Sequence, residues 1–305
     1  MPYWSIVTRS FQIAWDHKYL WLIAFFSGET GASTSYSSQS YTRRANNPPN
    51  VSTISQNVMT WVTDHVTLLL ALAVLWLLVV IAFFILSAVC EGATIRGSAE
   101  HDAERPFGLG MAWRTGLHLM WVMVRFRLII VALELPLVAL IVAWVIGLLI
   151  AIAHQDAGAI VPLLLTGLPL LVVWFVYGSY LFFLDRLGAR AVVLEESKAT
   201  ASIARANRLL FKRIGRTLLV WLLSIGVGLV VALALACVSA LLLAPFAAIA
   251  IFASSGNSLA MVALGLTVAI IFVPIFLVIA GFFAAQTSTY WTLAFRRLDV
   301  EYPTA

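Results

Sequence analysis

Glu134 is a carboxylate inside an apolar run, VALELPLVAL over residues 131–140, with Pro136 two positions beyond it. An ionisable side chain at hydrocarbon depth is a candidate proton or ion carrier, because an unpaired charge in lipid is costly to keep. It stands six residues past Leu128, about 9 Å of helix, and Arg127 precedes it by seven residues, two turns back on nearly the same face. Two readings follow. Pairing with Arg127, or with an arginine elsewhere in the chain, makes Glu134 and Arg127 a structural membrane-embedded pair. A polar path reaching Glu134 makes it functional. Pro136 favours the first, since it removes the donor that would serve the Ala132 carbonyl and leaves that turn in need of polar company.

Other residue types that do chemistry are scattered. Asp64-His65 and His154-Gln155-Asp156 combine imidazole and carboxylate, which suit zinc or iron. Their spacing demands no ion and loop polarity accounts for both, so no metal is expected. EHDAER from Glu100 holds a His-Asp dipeptide of the kind found in phosphohydrolases, without a companion histidine cluster. Lys18, Lys198 and Lys212 lie outside any Gly-rich phosphate loop, and G-x-S-x-G, H-E-x-x-H and C-x-x-C do not occur. Cys90 and Cys237 sit in separate apolar runs and suggest no disulfide framework. The expectation is a protein with no catalytic residues and no cofactor.

The elements that must position these residues belong in a bilayer. Of 305 residues 62% are hydrophobic and 11% charged, against about 25% charged in soluble domains, and mean hydropathy is +0.98. A span of ~30 Å needs about 20 apolar residues. Such runs occur at Val66 to Cys90, Leu128 to Ala153, Ile160 to Leu184, and from Thr217 and Ser258 onward. Tyr19 to Phe26 is a sixth, short stretch that needs its amphipathic lead-in, Ile6 to Trp15, to cross. A rival reading takes it as a signal peptide, with Arg9 and Lys18 ahead of the apolar core and Ser27 and Gly28 after it. With six spans and both termini cytoplasmic, all but Arg43 and Arg44 of the 19 Lys and Arg residues fall inside, as the positive-inside rule requires. The net charge of +5 then implies membrane lipids as partners and no nucleic acid. Residues 27–65, rich in Ser, Thr, Gly and Asn, read as a flexible exterior loop, and its Asn50-Val51-Ser52 sequon as a chance match.

The chain also repeats. Lead-in segments begin at Thr8, Trp113 and Ala204, marked by Arg9, Arg114 and Arg205 and by the later aromatics Trp15, Trp121 and Phe211; exit arginines follow at Arg96, Arg190 and Arg296. One membrane domain, 1–305, divides into pseudo-repeats of about 1–105, 106–198 and 199–305, each an amphipathic interfacial helix plus a transmembrane hairpin. In the third, Arg205, Arg208, Lys212 and Arg216 share one helix face, opposite Ile203, Ala206, Leu210 and Ile214. That basic face either meets lipid headgroups or is solvated on a helix packed over the inner bundle ends. Ser224, Gly228, Ala232, Ala236, Ala240 and Ala244 recur every four residues, continued by Ala248, and form a helix-contact seam within the monomer or in a homodimer. Pro245 is expected to break that helix.

GATIRG from Gly92, AWRTG from Ala112, GARAVVLEESKATASIARANRLLFKR from Gly188 and STYWTLAFRRL from Ser288 carry a resemblance along most of the chain. They resemble the membrane domain of some bacterial glycerophosphodiester phosphodiesterases and related stand-alone multi-pass proteins of unknown function. The resemblance implies an all-α polytopic bundle in a bacterial plasma membrane and carries no catalytic residues. The functional expectation is a non-catalytic membrane component or accessory subunit, working with other membrane subunits or a second copy. The alternative is a small secondary transporter or channel with Glu134 in its path.

Overall fold

In hydrocarbon a chain satisfies its backbone polar groups within its own segment, so long apolar runs become helices. The computed structural model describes residues 4–28, 60–154, 157–253 and 258–299. Its elements are α1 (Trp4–Asp16), α2 (Tyr19–Ser27), α3 (Val66–Asp102), α4 (Leu109–Ala153), α5 (Ala157–Leu194), α6 (Ala199–Lys212), α7 (Ile214–Ala253) and α8 (Ser258–Asp299). The expected exterior loop falls on 29–59, outside the described residues. At its margins Ser27 closes α2, and residues 60–64 are helical.

Five helices, α3, α4, α5, α7 and α8, are long and apolar enough to cross a membrane. α2 is not. Its nine residues rise about 14 Å, half a bilayer core or less. The lead-in expected to extend it is a separate helix: the chain turns at His17 and Lys18, and the Trp21 indole donates back to the Ala14 carbonyl at 2.5 Å. Gly28 then ends α2 in the left-handed conformation, φ 77°, which only a residue without a Cβ adopts at little cost. Pro245 does not break α7, which runs on to Ala253. Pro136, Pro162, Pro169 and Pro274 likewise lie inside helices, because neighbouring side chains can serve the freed carbonyls.

The helices outrun the bilayer. α3, at 37 residues, is about 55 Å long and α4, at 45 residues, about 68 Å. Val66 to Phe83 of α3 is exposed almost throughout, whereas every residue from Ala88 to Ile95 is buried. α5 and α8 change in the same way near Tyr180 and Ala280. The apolar outer portions thus face outward and one interlocked core joins the other ends, including Phe126, Leu187, Val192, Val193, Trp291 and Phe295. This division has a physical cause. Lipid gives apolar faces no reason to leave it, so helices lock only where close contact and polar partners hold them.

In that core α3, α5 and α8 touch one another. α1 and α2 sit between α8 and α3, α4 between α3 and α5, and α6 with α7 between α5 and α8. Glycines set the close approaches. A Cβ on Gly281 would stand 2.7 Å from the Trp21 carbonyl oxygen, and one on Gly188 2.6 Å from the Phe126 ring. The first and last described helices end together, with Arg297 Nη1 donating to Ser5 Oγ at 2.9 Å.

α6 buries Ala199, Ser202, Ala206, Leu209 and Leu210 against α5 and α4. Of the two placements open from sequence, the apolar face therefore lies on protein. Ile214, assigned to that face, instead starts α7 and is exposed.

Candidate functional site: a buried arginine–glutamate cluster and the membrane cavities

The core's most concentrated polar chemistry is built on Arg127. Its Nε and Nη2 donate to Glu91 Oε2 at 2.9 and 2.6 Å, and Nη1 donates to Ser87 Oγ at 2.7 Å. Nη2 also reaches the Ser27 carbonyl at 2.8 Å, the oxygen to which Ser87 Oγ donates at 2.8 Å. α2, α3 and α4 therefore meet on one guanidinium. The fork suits this junction, because its planar donors satisfy a carboxylate and the last turn of α2 together, and a cation favours a helix C-terminus. Glu91 is only 3% exposed.

Sequence reasoning missed Glu91. It directly follows Cys90, the last residue of the apolar run from Val66, and so stands just outside that run. The pairing of Arg127 with Glu134 is thereby overturned. Glu134 is exposed on the outer part of α4, and its distance from Arg127, two turns, exceeds that to the competing carboxylate on α3. The polar company required beside Pro136 comes from α5: Tyr177 Oη donates to the Leu133 carbonyl at 2.9 Å. Since Glu134→Gln removes no described contact, it should shift stability by no more than about 0.5 kcal/mol. Thermal unfolding of the purified protein in detergent checks this.

The EHDAER residues help hold the core end of the bundle together. His101 stacks on His17 with ring centroids 3.5 Å apart and shares a 2.6 Å hydrogen bond with Tyr19 Oη. Burial pushes the Tyr19 phenol up to about 12. Asp102 takes Arg296 Nη1 at 2.6 Å and lies 3.9 Å from Arg9 Nε, joining α3 to α8 and α1. Arg96 meets Glu100 at 2.9 Å. Arg190, expected at a polar exit, is 0% exposed, with Nη1 donating to the Arg186 carbonyl and Nη2 to that of Ser288.

Of the imidazoles weighed as ligand types, His65 and His154 bond the carbonyls one turn back, of Trp61 and Ile150. Gln155 and Asp156 lie outside the described residues. On α6, Arg205 bridges Glu195 at 3.2 Å and Asp299 at 2.5 Å, while Arg208 and Lys212 are exposed; Arg216, expected on the same helix face, is exposed on α7, because α6 ends at Lys212. Asn207 beside them accepts from Tyr180 Oη at 3.1 Å.

The small-residue row on α7 is split. Ser224, Gly228 and Ala232 line a cavity of about 480 Å³ between α7, α8 and the inner part of α5. Ala236 and Ala240 are exposed, and the Ala244 and Ala248 side chains lie outside the described residues. A Cβ on Gly228 would meet nothing within 4 Å. The closest backbone approaches are elsewhere, at Gly116 against Val89 and Gly281 against Trp21.

Fold and site together define a multi-pass helical membrane protein whose helices interlock at one end. Residues 8–295 match a family of unknown function, DUF7544, and the chain belongs to that family. This agrees with the multi-pass proteins of unknown function in the expected resemblance and supplies no link to glycerophosphodiester phosphodiesterases. No curated protein and no solved structure matches the chain.

Proposed function

We propose that the protein is a non-catalytic integral component of a bacterial plasma membrane, an accessory or scaffold subunit with both termini cytoplasmic. The observation that carries this reading is the division of the molecule: a locked inner core bearing its ion pairs, beneath crossing helices whose apolar faces remain largely unoccupied by one another. Such faces can receive the membrane helices of other subunits, while the core holds the spacing of the spans.

The ring of lead-in elements around α3, α5 and α8 supports a threefold pseudo-repeat of helix plus hairpin. The gathering of basic residues at the core end supports a cytoplasmic core. A transport path through Glu134 gains no support, since that residue is exposed and does not line the cavity between α7, α8 and α5. Affinity isolation from native membranes in mild detergent tests the proposal. The expected result is co-purification of a defined membrane partner in fixed stoichiometry. A lone monomer that moves a solute in liposomes would overturn it.

A further inference from the structure

We infer that the cavity between α7, α8 and α5 is an intramembrane binding site for one anionic phospholipid of the core-side leaflet. Its volume, about 480 Å³, falls in the range of roughly 300–1,000 Å³ occupied by small-molecule sites. The lining runs along α7 from Trp221 to Leu235, about 21 Å of helix. That exceeds the ~15 Å depth of a single leaflet's hydrocarbon.

The two ends of the cavity differ in chemistry. Toward mid-bilayer it is walled by Leu235, Ala232 and Phe276; toward the core it ends on Arg186, with Gln286 and Thr287 beside it. Arg186 is the sole charged residue among the described residues lining it, and its guanidinium carbon lies 5.4 Å from the centre of the Phe182 ring. A cationic end at the level of the core and an apolar shaft above it match a phosphate-bearing headgroup joined to an acyl chain. Neutral apolar solutes match the shaft alone.

Gly228 makes the inference testable without disturbing protein contacts. Its missing Cβ faces open space, so a larger side chain there grows into the cavity. The experiment is native mass spectrometry of the full chain in detergent, with added palmitoyl-oleoyl phosphatidylglycerol or phosphatidylcholine as the probes. Wild type should retain one phosphatidylglycerol with a preference of roughly five- to tenfold over phosphatidylcholine. Gly228→Leu should lower retention of both lipids about tenfold, and Arg186→Gln should keep a bound lipid while its headgroup preference falls to about one. Leu168→Ala, on the exposed face of α5 away from the cavity, should behave as wild type. Undiminished lipid retention by Gly228→Leu, or a wild type indifferent to headgroup, would overturn the assignment. Because Gly228→Leu leaves the inner contacts intact, the result stands even if Arg186→Gln fails to fold.

Discussion

Glu91→Ala should lower the stability of the folded protein by about 3–5 kcal/mol, the usual consequence of removing one member of a buried ion pair. The loss comes chiefly from what remains. Arg127 keeps its charge, its side chain is 18% exposed, and Ser87 and the Ser27 carbonyl are dipoles that cannot neutralise it. Arg127→Ala strands Glu91 instead and also frees the end of α2, so its cost should be at least as large. The double variant Glu91→Leu/Arg127→Met should recover a substantial part of either loss, because neither charge is then buried alone. Unfolding in mixed micelles, followed by tryptophan fluorescence, measures all three. Single variants within about 1 kcal/mol of wild type would mean that the cluster is solvated and does not hold α2, α3 and α4 together.

Gly116→Ala is the second large effect. A Cβ there would press directly on the backbone carbonyl oxygen of Val89, with Val89 Cγ1 at 3.1 Å and the Ala93 Cβ at 3.2 Å behind it. A side-chain end can swing aside, but a helix carbonyl cannot, so α3 and α4 must separate over their tightest contact. Overpacking of this kind costs about 1–3 kcal/mol, and this site belongs at the upper end. Gly215→Ala and Gly226→Ala provide the contrast. Their Cβ atoms meet nothing within 4 Å, so each should gain about 0.5–1 kcal/mol from helix propensity. Thermal unfolding midpoints should therefore move in opposite directions. A neutral Gly116→Ala would show that the approach of α3 to α4 relaxes easily.

Composition and run length determined the class of this protein, because a chain this apolar has no soluble alternative and lipid leaves each segment only the helix. The three arginine-marked lead-ins read alike in sequence, whereas the segment from Trp113 is continuous with the rest of α4 and those from Thr8 and Ala204 begin on the separate helices α1 and α6. Pro245 and Tyr19–Phe26 were harder to read. A proline in a membrane helix is decided by who serves the freed carbonyl, and a short apolar stretch is indistinguishable by composition from the edge of a longer span.

What only tertiary structure decided was the partnership of charges. Nothing in the spacing of Arg127 prefers Glu91, which lies 36 residues away, over Glu134 at two turns. The choice was made when α3 packed against α4 with Gly116 on Val89. It was the same for the small residues of α7. Their four-residue period permits a close neighbour, yet close approach requires a second helix pressed against the row, and that depends on where α8 is held by Trp21 and the inner core. Periodicity specifies a face, whereas contact depends on the position of every other helix.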